Sequence, residues 1–327
     1  MTMKELAKLA GVSTSAVSRY LNGGPLSEEK RRIIRAAIDR TGYQPDLAAQ
    51  MLRTRSTDIV GLIVPKLDSE SVSHLAAGAS EVLAEEGYAC QLGVSPNDPE
   101  KELSFLHLFQ NRSAAGIILM GTVLTPALEA FLQSPRIPLV VAGQKFKGVP
   151  CVYHDDYNAA LELTRLVLTR GRRRPVYIGA VEQDASAGQA RRMGVQAGLR
   201  EAGLDPELPT EISSFEIRGG YEAMRRLLAR VPDPDAVLCA TDRMAFGAIQ
   251  ALKEAGKRLP EELSVTGMGD SWAGEHITPH LTTAHFYYKT CGETAARLLI
   301  EQINDRNRTA PIRQTMLSYT IKRRDSV

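Results

Sequence analysis

From Ile59 onward, short apolar runs alternate with stretches of helical periodicity, and this rhythm restricts the possible folds more than any other feature. The apolar runs fall at 59–64, 89–94, 116–120, 139–142, 176–181, 211–215, 236–240 and 263–267. Helical stretches near 73–86, 99–111, 126–134, 157–170, 187–202, 219–230, 243–255 and 287–303 intervene or follow. Strand–helix alternation at this spacing predicts parallel sheets with helices on both faces. The strands are too many for one tidy sheet, and the first set ends near 155–158. The expectation is two doubly wound lobes with a cleft between them, open to a ligand at the carboxyl ends of the strands.

The first 57 residues follow a different pattern. Leu6, Leu9 and Ala10 recur at helical spacing, Gly11 can end that helix in the left-handed conformation, and Ser13 can cap the next. Val17 and Leu21 would pack the second helix onto the first. Its other face then offers Thr14, Ser15 and Arg19 to solvent or to a major groove, as in a helix-turn-helix. A third helix starts at Ser27, whose Ser27-Glu28-Glu29-Lys30 is close to a capping box. It carries Ile33, Ile34, Ala37 and Ile38 on one face and stops at Gly42. Asp46 could cap a further helix of about two turns, too short to be stable alone in water. Its Leu47, Met51 and Leu52 have no obvious core of their own.

Charge separates the same two regions. Residues 1–57 carry ten Lys and Arg against five Asp and Glu, +5 net, while the other 270 carry −3 (30 basic, 33 acidic). A basic head on a nearly neutral body suits phosphate contacts. No apolar run approaches the ~20 residues of a membrane span. Glu5 and Lys8 interrupt any secretory layout, so the cytoplasm is the expected compartment, with no membrane partner. The scattered cysteines (Cys90, Cys151, Cys239, Cys291) read as buried free thiols. Cys151 and His154 have metal-like spacing, but no second pair answers them, so no metal and no cofactor are expected. No phosphate-cradling loop, nucleophile elbow or His-Glu-x-x-His motif marks an enzyme.

At this point the residues resemble the lactose/galactose repressor family of bacterial transcription regulators over essentially the whole chain. Leu6-Ala7-Lys8-Leu9-Ala10-Gly11-Val12-Ser13, with Val17-Ser18-Arg19 and Leu21-Asn22-Gly23, is similar to the family's head. Gly42-Tyr43-Gln44-Pro45 through Ala49, Leu52-Arg53 and Thr57 resembles its hinge. Ile59-Val60-Gly61-Leu62-Ile63-Val64-Pro65 resembles the first strand of its core. Thr241-Asp242-Arg243-Met244-Ala245-Phe246-Gly247 and Thr278-Pro279-His280-Leu281-Thr282-Thr283 fit as well. Val64 to Ser69 and Val152 to Asp156 are similar to segments of trehalose and sucrose operon repressors.

The resemblance implies a head at 1–45, a hinge at 46–57 and a periplasmic-binding-protein-like effector core at 58–327. The first lobe would take about 58–158 and 286–309, the second about 159–285 and 310–327. Thr14, Ser15 and Arg19 occupy base-reading positions, and Ser13, Ser18 and Asn22 phosphate-contacting ones. Leu52 matches a leucine that wedges into the minor groove, with Arg53 beside it. The effector positions are Lys66, Asp68, Gln144, Asp155, Arg191, Phe215, Asp242, Asp270 and Trp272.

Two departures bear on the ligand. Gly143-Gln144 stands where Asp-Arg is usual, removing a charge that could hold a phosphate, and Gly269 stands where an aspartate is frequent. The partners implied are double-stranded operator DNA, a sugar or sugar phosphate and a second copy of the chain, as a dimer rather than a tetramer. The function implied is repression of a carbohydrate-utilisation operon, relieved by a sucrose- or trehalose-type disaccharide or its phosphate. A corepressor-dependent or global carbon regulator, and a sugar-binding protein without DNA function, stay open as alternatives.

Overall fold

The computed structural model describes every residue except 22, 23, 44–57, 122, 232, 306 and 308. The chain divides into two compact units, Met1–Thr57 and Asp58–Val327.

The first unit packs α1 (Met3–Leu9), α2 (Thr14–Leu21) and α3 (Glu28–Thr41) around Leu6, Ala7, Ala16, Val17, Ile34, Ala37 and Tyr43. Gly11 makes the turn between α1 and α2 at φ +62°. Ser13 caps α2, its hydroxyl accepting the Ala16 N–H at 3.2 Å. The capping box lies at the other end of the head from the one expected. Thr2 and Glu5 form it, with each side chain accepting the other's backbone N–H. Ser27 starts α3 with no side-chain cap bond. Leu9 and Ile33, expected inside, stay 46% and 38% exposed. The buried stripe is narrower than expected, holding Leu6 and Ala7 on α1 and Ile34 and Ala37 on α3.

The second unit holds two six-stranded sheets, each the floor of one lobe. The strands are β1 (Ile59–Val64), β2 (Ala89–Val94), β3 (Gly116–Leu119), β4 (Leu139–Ala142), β5 (Cys151–His154), β6 (Pro175–Gly179), β7 (Thr210–Ile212), β8 (Ala236–Cys239), β9 (Ser264–Met268), β10 (Thr282–Phe286), β11 (Gln314–Leu317) and β12 (Tyr319–Lys322). The first sheet has the order β11-β5-β4-β3-β1-β2, all parallel. The second has the order β12-β10-β9-β8-β6-β7, with β12 antiparallel at its edge and the rest parallel. Strands covered on both faces need continuous apolar sequence, and β1 shows it. Val60, Leu62 and Val64 enter one core while Ile63 enters the other.

The helices follow in chain order: α4 (Glu70–Glu85), α5 (Pro99–Asn111), α6 (Pro126–Gln133), α7 (Asp156–Thr169), α8 (Arg191–Glu201), α9 (Ile217–Arg230), α10 (Asp242–Glu254) and α11 (Tyr288–Asn304). Backbone crosses between the lobes at Asp155, Tyr287 and Ser318. Residues 314–317 therefore belong to the first lobe and Phe286 to the second, unlike the expected boundaries. The crossings are tied together. Asp155 N–H donates to Leu317 O at 3.0 Å, and the hydroxyls of Tyr287 and Thr320 meet at 2.8 Å.

Candidate functional site

In both sheets the order reverses beside the first strand of the lobe, and loops at the carboxyl ends of the strands converge on one cleft. Lys66 follows β1, Gln144 follows β4, and His154 ends β5. From the other lobe come Asp184, Phe215, Asp242 and Ser271, after β6, β7, β8 and β9.

The innermost charges all stand on the second lobe. Asp156 opens α7 and Arg191 opens α8, and both are buried. The two helices can touch because a Cβ at Gly194 would lie 2.2 Å from the Tyr157 carbonyl oxygen. Arg191 Nε donates to Asp156 Oδ1 at 2.7 Å, and Nη1 donates to the Ala240 carbonyl. The guanidinium also sits 4.9 Å from the centre of the Phe286 ring. A π-helical turn, Ala185–Ala190, delivers Arg191 to this place. Asp184 caps that turn, accepting the N–H groups of Ser186 and Ala187 at 3.0 and 2.7 Å. Burial raises the Asp184 pKa against those bonds.

Asp242 is buried as well. Its carboxylate accepts the Thr283 hydroxyl at 2.5 Å and the Ser271 N–H at 2.7 Å. Burial pushes its pKa up to about 6, with those two bonds opposing the shift. His154 clusters with the rings of Phe286 and Tyr288, each centre 5.2 Å from its own.

The mouth of the cleft is built from pairs that join the lobes. Lys66 meets Glu216 at 3.0 Å and Arg243 pairs with Asp68 across the cleft, while Arg243 also pairs with Glu216 within the second lobe. Glu70 accepts the Ser271 hydroxyl at 2.7 Å and the Trp272 N–H at 3.2 Å. Ser186 Oγ donates to the Gly143 carbonyl at 3.0 Å.

Of the nine expected effector residues, Lys66, Asp68, Gln144, Arg191, Phe215 and Asp242 line this cleft. Asp155, Asp270 and Trp272 do not. Asp155 caps α7 through the Asn158 N–H at 3.2 Å, and its neighbour Asp156 turns inward. Asp270 is held by Arg324 at 2.6 Å and His285 at 2.9 Å, behind the loop. Trp272 is 67% exposed. Residues the sequence reading missed are Glu70, His154, Asp156, Asp184 and Arg243. Asp184 sits as an N-cap before a helical stretch, a local signal that was there to be used.

In the head, Thr14, Ser15 and Arg19 all stand exposed on α2, and Arg19 Nε reaches the Ser15 carbonyl at 3.4 Å. Ser13 is exposed beside them and Ser18 is half-buried. Asn22, Leu52, Arg53 and the expected hinge helix lie outside the described residues. Among the described residues no helix is long and apolar enough to cross a membrane, and no cluster of His, Cys, Asp or Glu could hold a metal ion. Cys151, Cys239 and Cys291 are buried free thiols, whereas Cys90 is half-buried.

Residues 2–46 match the model for bacterial regulatory proteins of the lacI family, and 164–327 match the periplasmic binding protein-like domain. The transcriptional regulator CelR of Thermobifida fusca is 31% identical over 98% of this chain and 97% of its own. The chain belongs to the LacI family. As a LacI-family regulatory protein it is not an enzyme. The sucrose operon repressor of Staphylococcus xylosus is 28% identical, covering 91% of this chain and 92% of its own. The solved CelR–cellobiose complex covers both chains completely at 27% identity, with a TM-score of 0.76. The two-lobed parallel architecture of this LacI-family chain is thus the one its sequence predicts.

Proposed function

We propose that this LacI-family protein is a DNA-binding repressor of a sugar-utilisation operon, acting in the cytoplasm as a homodimer. Its effector is a disaccharide of the sucrose or trehalose type, or the phosphate of one. The observation that carries this reading is the cleft itself, where loops of both lobes converge on the buried Arg191–Asp156 pair. Polar groups fixed in a partly apolar cleft suit a ligand whose hydroxyls need directed partners. The sucrose operon repressor and the CelR–cellobiose complex among its relatives support a sugar.

Two heads on two half-sites require a dimer and a palindromic operator. Arg19 reads a base pair, Thr14 and Ser15 refine the choice, and Ser13, Ser18 and Asn22 hold phosphates. Leu52, with Arg53, kinks the operator from the minor groove, a cost of a few kcal/mol offset by the ordered hinge. Sugar binding favours the closed cleft and biases the hinge by about 1–3 kcal/mol, enough for a switch.

The test is operator selection from genomic fragments, followed by fluorescence anisotropy with and without sucrose, trehalose, maltose, fructose and the 6-phosphates. The expected result is specific binding at moderate salt that one sugar weakens by at least tenfold. Tighter binding with sugar would instead mark a corepressor-dependent regulator. No specific DNA binding at any salt would overturn the repressor reading.

A further inference from the structure

Three cations line the cleft, Lys66, Arg191 and Arg243, against five carboxylates, Asp68, Glu70, Asp156, Asp184 and Asp242. Each cation is already paired, Lys66 with Glu216, Arg191 with Asp156, and Arg243 with Glu216 and Asp68. A phosphate dianion entering here would meet surplus negative charge and would have to break a pair to gain a cation. A polyhydroxyl ligand faces no such conflict, because carboxylates accept hydrogen bonds from hydroxyls.

One group in the cleft wall points to that ligand independently. His154 is 5% exposed, lines the cleft, and its Nε2 has no hydrogen-bond partner among the described residues. A buried polar atom of this kind is costly unless something satisfies it. The ring does form a backbone hydrogen bond with Tyr287, one that favours the proton-bearing form, as a carbonyl acceptor does. With the proton on Nδ1, Nε2 is an acceptor. Burial lowers the His154 pKa and Arg191 and His285 add to this. Asp156 and the Tyr287 bond oppose it, and the net shift is downward, which leaves the ring neutral at pH 7. The rings of Phe286 and Tyr288 also pack against it, tilted and edge-on.

We propose that the cleft selects an uncharged sugar over its phosphate ester, and that His154 Nε2 accepts a hydroxyl of that sugar. His154 is then a specificity-determining residue, placed where β5 hands the chain to the second lobe. This inference rests on the sugar-effector reading above.

The test is a thermal-shift and calorimetric comparison of sucrose and trehalose with sucrose 6-phosphate and trehalose 6-phosphate, on the full-length chain. One neutral disaccharide should stabilise the wild type, with its 6-phosphate at least tenfold weaker. His154→Phe, which keeps the ring packing but loses the acceptor, should weaken the neutral sugar at least tenfold. His154→Gln should restore part of that loss.

In wild-type protein labelled with ¹⁵N-histidine, the Nε2 resonance of His154 should shift upfield when the sugar's hydroxyl bonds to it. This reads the contact even if His154→Phe fails to fold. A 6-phosphate that binds as tightly as the sugar, an unaffected His154→Phe variant, or an unmoved Nε2 resonance in the sugar complex would overturn the proposal. If none of the four compounds stabilises the wild type, the sugar reading fails with it. The two failures are therefore distinguishable.

Discussion

The floor of the cleft and its mouth are both ionic, yet they are built in opposite ways. On the floor, Arg191 and Asp156 have side chains only 8% and 3% exposed, and both stand on the second lobe. At the mouth, Lys66, Glu216, Arg243 and Asp68 have side chains 18–65% exposed, and the Lys66–Glu216 and Arg243–Asp68 pairs run from one lobe to the other. A pair within one lobe does not change when the lobes separate, so it gives the ligand a fixed surface. A pair across the lobes must break on opening, so it has to be weak. Exposure keeps it weak, at about 0–1 kcal/mol for a solvated ion pair. Under the proposed function, the floor would recognise the ligand and the mouth would switch.

Three measurements can break or sharpen that contrast. The largest effect should come from Asp156→Ala, which leaves Arg191 buried and unpaired. A loss of about 3–5 kcal/mol in urea unfolding is expected. A loss below 1 kcal/mol would mean the floor is no more demanding than the mouth.

Next is pH. The Asp242 pKa is about 6 in the folded chain against 3.8 for an ordinary aspartate, so the folded state holds the proton more tightly. That contribution to stability is fully present below pH 3.8 and is lost as pH rises through about 6. It amounts to on the order of 3 kcal/mol. Asp242→Asn should flatten this part of the stability–pH curve, while an unchanged curve would remove Asp242 as its source. The smallest effect belongs to Glu216→Gln, which weakens two mouth pairs at once. About 1 kcal/mol or less is expected, fading by 0.5 M salt. A larger loss that resists salt would place the mouth with the floor.

Much of the fold was legible in the sequence because parallel strands buried on both faces must be apolar throughout, as in Ile59–Val64 and Ala236–Cys239. The later strands were not. Thr282-Thr283-Ala284-His285-Phe286 mixes polar and apolar residues, and β11 and β12 alternate as half-exposed edges. Their place depends on which sheet has an open edge, information that lies far away in the chain.

The site shows the same division. Arg191 and Asp242 stand in local patterns that mark them, but the choice between Asp155 and Asp156 is a matter of one residue of helix phase. Nothing near Asp270 reveals that Arg324, 54 residues on, will claim it. Glu70 could not be read either, since its partners Ser271 and Trp272 are some 200 residues later.

The π turn at Ala185–Ala190 makes the recognition surface depend on a count of residues as well as on their identities. Such a turn holds one residue more than an α turn would. Deleting one of the six and winding the rest as α would leave everything after it in nearly the same phase, because the extra residue of a π turn is absorbed within the turn. Keeping all six and winding them as α would instead turn Arg191 by about 100°, away from Asp156, although no contact residue had been altered. Any substitution that tips this short segment from π to α would thus reshape the cleft floor without touching a residue that lines it.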